Sequence, residues 1–368
     1  MATLLLSRPD RVGDVISATA CLEPIRRQRP NDKLVFIARE PMRPLLEGHP
    51  LLDGFIATPP APDTPNLRTR RRDWSRELAV WNADAIVHLH PDDAIQFCAQ
   101  TAKIPRRVGY RTSWLADWTL TNRLRDRRAT DGRHEAEHNF DLLAPLGITA
   151  PPLDTLRPSV HLPDSWLQSL RIRLGAMGFD DFDQSDEPYV VLNPTAYSLD
   201  HRWPPAHWAW LATELLGSGK AMRVFLVGES VQDPSLREIR RLQGDGVPGL
   251  IDLSGQTSLG DLGWLLRHAQ VLVSRNTGTT HLAAAVGCPV VELFGRLETP
   301  YGPARWRSLG RAVEEIRTPA TRRFLENKRA FWRRSHAEIP RDAVLAAALK
   351  LADTRPTAGE GSHIQTYP

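Results

Sequence analysis

Residues 3–15 read TLLLSRPDRVGDV: an apolar strand over Thr3–Ser7, a short turn, and helical spacing from Val15 onward. Ile16, Ala20, Leu22 and Ile25 carry that spacing to Arg29, and Lys33–Ala38 is the next apolar run. Such a run, an amphipathic helix and a second run make the pattern of a parallel sheet buried on both faces. Outward from this start, strands recur at Gly54–Ala57, Ala85–Leu89 and Arg107–Tyr110, with helices over Met42–Glu47 and Pro91–Ala102. A Pro- and Asp-rich stretch, Ala150 to Pro188, interrupts the alternation and holds one helical piece, Ser165–Met177. The alternation then resumes, with strands at Tyr189–Asn193, Arg223–Val227, Gly249–Asp252, Val271–Ser274 and Pro289–Phe294. Helices at His207–Leu216, Pro234–Gln243, Leu259–His268 and Thr280–Val286 separate them. The fold class is therefore α/β, with two Rossmann-like doubly wound parallel-sheet domains facing a cleft. The expected divisions are 1–180 (first domain plus linker), 181–330 (second domain), a helix within 331–353 that returns to the first domain, and a tail over 354–368.

The length of 368 residues suits this division at about 150 residues per domain. Net charge is only +4, yet 47 Lys and Arg residues fall in blocks, which points to an anionic partner or, more plainly, to a solvated face. Cys21, Cys98 and Cys288 stand far apart without a C-x-x-C pair, the usage expected of reduced thiols in a cytoplasmic protein with no disulfide or zinc framework. No apolar run reaches the roughly 18 residues of a membrane span, and the start lacks a signal peptide's basic lead, so membrane contact is expected to be peripheral.

Four places carry chemistry. In the turn at Arg8–Val15, Gly13 lets the backbone approach a ligand closely, while Arg8 and Arg11 suit a phosphate. Asp14, at the helix start, is either an ionised general base or an N-cap residue. The second place is Ser274–Ala284, SRNTGTTHLAA, where a strand ends in a small-residue turn that opens a helix. Free amides there, with Thr277, Gly278, Thr279 and Thr280 and with His281 one turn in, suit a diphosphate or amount to ordinary capping. The third includes Thr195 in Asn193-Pro194-Thr195, then His201 and Arg202, with Glu229 after the next strand as a ribose ligand or a cap. The fourth is basic: Arg68, Arg70, Arg71, Arg72 and Arg76 around Trp74, then Lys103, Arg106, Arg107, Arg111, Arg123, Arg125, Arg127 and Arg128 around Trp114 and Trp118. Arginine beside tryptophan fits a phosphorylated lipid surface, and no nucleic-acid-binding fold accompanies it. His134-Glu135-x-x-His138 matches the spacing of a zinc motif, which would also need a third ligand and a suitable context.

Taken together, R-x-x-x-x-GDV at Arg8–Val15, RVGYR at Arg107–Arg111, RHEAEHNFDLLAPLGI at Arg133–Ile148, NPTA with RWPPAHWAWLA over Asn193–Ala212, DLSGQTSLGDLGWLL at Asp252–Leu266 and SRNTGTTHLAAAVGCPVVELFG at Ser274–Gly295 resemble glycosyltransferase family 9. That resemblance implies a GT-B enzyme that inverts configuration and needs no metal or other cofactor. The family's catalytic Asp falls on Asp14, and its T-G-x-x-H donor-phosphate motif on Thr277, Gly278 and His281. His134–His138 would be the family's interdomain helix. Implied partners are a nucleotide-sugar donor, ADP-heptose first, held by Thr195, His201, Arg202, Glu229, Asn276, Thr277, Gly278, Thr279 and His281. A phosphorylated lipopolysaccharide-core acceptor would lie against Arg8, Arg11, Gly13, Arg70, Arg71 and Arg111, at the inner face of the membrane. Two positions depart from the family: Asn276 stands where Asp is usual, and His201 where Lys is. Other readings keep the fold with a capsule, exopolysaccharide or protein acceptor, or make the chain an inactive glycan- or nucleotide-binding paralogue.

Overall fold

The computed structural model describes residues 1–58, 67–179, 182–183, 187–195, 202–221, 223–244, 247–297, 301–319 and 335–354, with the side chains of Leu67, Arg68 and Arg70 outside that description. The chain divides into two units, Met1–His161 and Leu162–Pro368.

The first unit holds a six-stranded sheet of β1 (Thr3–Ser7), β2 (Lys33–Ala38), β3 (Gly54–Ala57), β4 (Ala85–His88), β5 (Arg106–Tyr110) and β6 (Asn122–Leu124) in the order β3-β2-β1-β4-β5-β6. Every pairing is parallel, with Leu5 opposite Val35 on one side and Ile86 on the other. These side chains join Ile37, Ile56, Leu78, Ile95 and Ile104 in one core. Each such fully buried side chain contributes about 1.5–3 kcal/mol.

The helices of this unit are α1 (Val12–Ala18), α2 (Leu22–Gln28), α3 (Arg43–Leu46), α4 (Leu67–Val80), α5 (Asp93–Thr101), α6 (Trp114–Thr119) and α7 (Glu135–Leu143). The single helix expected over Val15–Arg29 is two, joined by a tight turn at Thr19–Cys21. Pro24 in the first turn of α2 has no N–H to give the preceding turn, so the ladder must restart there. Thr19 holds the joint by donating its hydroxyl to Ile16 O at 2.6 Å while accepting the Ser159 N–H at 2.9 Å. Within α4, Trp74 and Leu78 are buried four residues apart on one face.

The second unit repeats the topology. Its strands are β7 (Tyr189–Asn193), β8 (Arg223–Leu226), β9 (Leu250–Asp252), β10 (Val271–Arg275), β11 (Val290–Phe294) and β12 (Val313–Arg317), ordered β12-β11-β10-β7-β8-β9 and parallel throughout. The helices are α8 (Asp164–Gly175), α9 (Pro205–Gly217), α10 (Pro234–Gln243), α11 (Leu259–His268), α12 (Gly278–Val286), α13 (Pro303–Trp306) and α14 (Arg341–Ala352). The sequence offered no sign of the edge strands β6, NRL, and β12, VEEIR, because each is mostly polar. Charge on an edge strand also discourages pairing with another chain.

Two expected boundaries are corrected. The first unit ends at His161, because α8 packs on α11 of the second. Gly260 and Gly263 of α11 make that contact: a Cβ at Gly260 would lie 1.6 Å from the Trp166 ring, and one at Gly263 would lie 2.6 Å from Leu162. The closing helix α14 was expected to return to the first domain. Instead Val344, Ala348 and Leu351 are buried in the second unit's core with Trp203, Trp208 and Val273. Of the expected tail, only Thr354 lies within the described residues.

Candidate active site

Doubly wound sheets bind ligands beyond the carboxyl ends of their strands, where the strand order reverses. In the first unit that point lies between β1 and β4, and the turns leaving them carry Arg8–Asp14 and His88–Asp92. Arg8 fixes the turn by donating its backbone N–H to Ile37 O at 2.9 Å. Its side chain is 1% exposed and organises everything near it. Nε lies 2.8 Å from Asp10 Oδ1, Nη1 lies 2.8 Å from Glu135 Oε1, and Nη2 lies 3.3 Å from Asp14 Oδ1. Nη1 also donates to Leu89 O at 3.1 Å. His90 Nδ1 sits 3.2 Å from the other oxygen of Asp10.

Three carboxylates thus share one guanidinium, and the electrostatics follow. Burial would lower the Arg8 pKa, but Asp10, Glu135 and Asp14 hold it above the ordinary value. Burial would raise the pKa of Asp10, yet Arg8 and His90 keep it low. Asp14 is pushed up to about 6, first by burial and then by the Asp10 charge, with Arg8 and Arg11 pulling the other way. Burial, rather than its place at the helix start, dominates the charge state of Asp14. Asp14 is not the N-cap either: Arg11 is, and Asp14 falls in the first turn of α1. A carboxylate with a pKa near neutrality whose side chain keeps 16% exposure has the properties of a general base.

Arg8, expected to suit a phosphate, instead has its guanidinium surrounded by the carboxylates of Asp10, Glu135 and Asp14. Arg11 is exposed at the N-cap of α1, and Gly13 is buried within the helix. The His-Glu-x-x-His stretch divides among three partners. His134 caps α7 by accepting the Ala136 N–H, Glu135 pairs with Arg8, and His138 lies 3.2 Å from Asp131. Within the first unit, α7 packs on α1, β4 and β5.

The second unit's reversal lies between β7 and β10. Asn193 at the end of β7 ties the two turns together. Its Oδ1 accepts the Thr195 N–H and hydroxyl at 3.1 and 2.6 Å, and its Nδ2 donates to Thr279 Oγ1 at 2.7 Å. Thr277 caps α12, and Gly278 begins that helix, so their amides lie at its positive end. His281 is buried one turn in. A Cβ at Gly228 would lie 2.5 Å from Thr195, so glycine lets the β8 turn close against Thr195, and Glu229 follows it exposed.

The terminal nitrogens of Arg202 are already engaged. Its Nη1 and Nη2 each lie 2.7 Å from Asp233, and Nη1 also reaches Ser235 Oγ at 2.8 Å. Asn276 turns to Glu292 and to Trp306 O, both at 2.7 Å. His201 lies outside the described residues, as does the side chain of Arg70. Arg71 is half-buried on α4, and Arg111 lies 2.6 Å from Asp117. Trp74 belongs to the core, where its Nε1 donates to Ala57 O, while Trp114 and Trp118 are exposed. Sequence reasoning passed over Asp10 and His90 and weighed Glu135 only as part of a metal motif. It also overlooked Arg275 and Glu292, because their roles depend on partners distant in sequence.

Two Rossmann-ordered sheets, one with a near-neutral carboxyl at its switch point and the other with a helix-opening turn at its own, suit a two-domain sugar transferase. Residues 75–329 match the profile of glycosyltransferase family 9 (heptosyltransferase), and the chain belongs to this family of glycosyltransferases. It is 24% identical over 351 residues to lipopolysaccharide heptosyltransferase 3 of Escherichia coli (strain K12), covering 92% of this chain and 95% of the relative. To lipooligosaccharide heptosyltransferase 2 of Haemophilus influenzae it is 26% identical, over 82% of this chain and 85% of the relative. The fold matches a family 9 glycosyltransferase from Veillonella parvula with a TM-score of 0.77 at 19% identity, covering 96% of this chain and 98% of the other. It also matches the Escherichia coli ADP-heptose lipopolysaccharide heptosyltransferase II, with a TM-score of 0.74 at 22% identity over 96% and 99% of the two chains.

Proposed function

We propose that this enzyme transfers heptose, or a closely related sugar, from a nucleotide-sugar donor to a phosphorylated lipopolysaccharide-core hydroxyl, with ADP-heptose as the first donor to try. The observation that carries the mechanism is Asp14, held beside Arg8 with its pKa at about 6. Ionised Asp14 takes the proton of the acceptor hydroxyl as that oxygen attacks the anomeric carbon. The carbon–diphosphate bond breaks on the opposite face, so a single displacement inverts the configuration. The amides at Thr277 and Gly278 stabilise the leaving diphosphate. Hydroxyl and amide donors suit that charge without a metal ion, and among the described residues no Asp-x-Asp pair marks a strand end of the second unit.

The enzyme is read as cytoplasmic and peripheral at the inner membrane. Among the described residues no helix is long and apolar enough to cross a membrane. Trp114 and Trp118 project from α6 at 80% and 58% exposure, and Arg111 and Arg123 flank them beside Asp117. Nucleic acid is not a partner in this reading.

The test is nucleotide release from ADP-, GDP- and UDP-sugars with a heptose-deficient lipopolysaccharide acceptor, with and without EDTA. Acceptor-dependent release of ADP that survives EDTA is expected. No release with any donor would overturn transfer, and rescue of an EDTA-inhibited enzyme by Mg²⁺ would overturn the metal-free mechanism.

A further inference from the structure

The last residue of β10 carries a guanidinium that the transfer mechanism leaves unused. Arg275 pairs in register with Leu293 of β11. Strand alternation puts its side chain on the same face as Val271 and Val273, both buried in the second core, so it leaves the sheet just past the edge of that core. Two other arginines share this carboxyl edge. Arg202 directly precedes the wholly buried Trp203, and Arg296 follows β11 with its guanidinium 3.6 Å from the centre of the Tyr301 ring.

The hydrogen bonding of this edge is incomplete. Asp233 and Ser235 occupy both terminal nitrogens of Arg202, but its Nε is buried with no partner. The Nε of Arg275 is likewise buried with no partner. Among the described residues no carboxylate pairs with Arg275. Burial, then the charges of Arg202 and Arg296, push its pKa down to about 9. A cation removed from water costs several kcal/mol unless it is paired. Two orphaned guanidinium nitrogens beside a third arginine therefore describe a site that an anion completes. The planar fork of arginine matches phosphoryl oxygens two at a time.

We propose that Arg275, with Arg202 and Arg296, forms a phosphoryl-binding subsite at the carboxyl edge of the second sheet, in addition to the amide turn at Thr277–Gly278. The phosphoryl group comes from the donor's diphosphate or from a phosphate on the acceptor. The choice between those sources rests on the proposed transfer reaction, but the binding of a phosphoryl group does not.

Calorimetry on the full chain tests this with pyrophosphate, ADP, glucose 6-phosphate and adenosine, for the wild type, Arg275→Gln and Arg296→Gln. Each substitution is expected to weaken pyrophosphate binding at least about tenfold and to leave adenosine unchanged. A matching loss for ADP assigns the subsite to the donor, and a loss confined to glucose 6-phosphate and pyrophosphate assigns it to the acceptor. Unliganded Arg275→Gln is expected to melt at or above the wild-type temperature, because it loses a partly buried charge that no described carboxylate pairs. Unchanged affinity for every phosphorylated probe in both variants overturns the subsite. Pyrophosphate binding is read without turnover, so an Arg275-dependent loss stands even where no sugar transfer is found.

Discussion

Asn276 donates its side-chain amide to Glu292 Oε1 at 2.7 Å, and the carboxylate it meets has no exposed surface. Ser308 completes the arrangement, with its N–H at 2.9 Å and its hydroxyl at 3.0 Å from the two oxygens of Glu292. The departure from the family's usual Asp thereby acquires a physical reason. An Asp at 276 would set a second carboxylate against a buried one whose pKa burial already raises.

Asn276→Asp is accordingly expected to destabilise the protein by about 2–4 kcal/mol at pH 8. The loss shrinks as pH falls, because one of the two carboxyls then takes up a proton. Adding Glu292→Gln is expected to recover most of it. Thermal unfolding of the double-mutant cycle at pH 8 and pH 5.5 measures the coupling, and strictly additive effects would show that the two side chains do not interact.

For Asp14 the sign is that of an acid whose folded-state pKa is raised. Its charge destabilises the fold above about pH 6, and the penalty disappears as pH falls below the ordinary carboxylate value. Asp14→Asn is expected to stabilise the protein by roughly 1–3 kcal/mol at pH 8 and by nothing near pH 3.5. It is expected to lower kcat about 10²- to 10⁴-fold. Wild-type kcat should fall on the acid side with an apparent pKa near 6. A variant with near-wild-type kcat removes Asp14 from the mechanism.

Removing Arg8 has the opposite effect. Arg8→Gln leaves Asp10, Asp14 and Glu135 facing one another, a loss of about 3–5 kcal/mol. Where the variant is still folded at low temperature, the acid limb of its kcat profile moves to higher pH, because Asp14 has lost its nearest cation. Arg8→Lys keeps the charge without the fork and should fall between. An acid limb that stays in place in both variants would show that Arg8 does not set the Asp14 proton.

Trp114 and Arg123 carry the membrane prediction. Trp114→Ala and Arg123→Ser together should reduce sedimentation with anionic liposomes several-fold and leave the melting temperature within about 1 °C, since both side chains are exposed. Binding by the wild type should also disappear at 1 M salt, where the Debye length is about 3 Å. Equal sedimentation with neutral and anionic lipid would mean that the patch is ordinary solvated surface.

The sequence alone determined the apolar strands of both sheets and the turns that hold the candidate site. Runs such as LLLS, VVLN and VLVS can be satisfied only between two layers of helices, and the change from period 2 to period 3.6 is a local property of the chain. Asp14 and Thr277–His281 were legible for the same reason, because each lies where a strand turns into a helix. Tertiary structure alone decided which partner each charged side chain would find. Arg8 and Glu135 are 127 residues apart, and both looked available for other work until the fold set them 2.8 Å from each other. The same holds for Arg202 and Asp233, for Asn276 and Glu292, and for Trp74, which sits in the core while Trp114 stands in solvent. Periodicity fixes which face of an element is apolar. What ends up opposite a polar group depends on how distant elements pack, and that packing decides whether a buried charge is paired or left to a ligand.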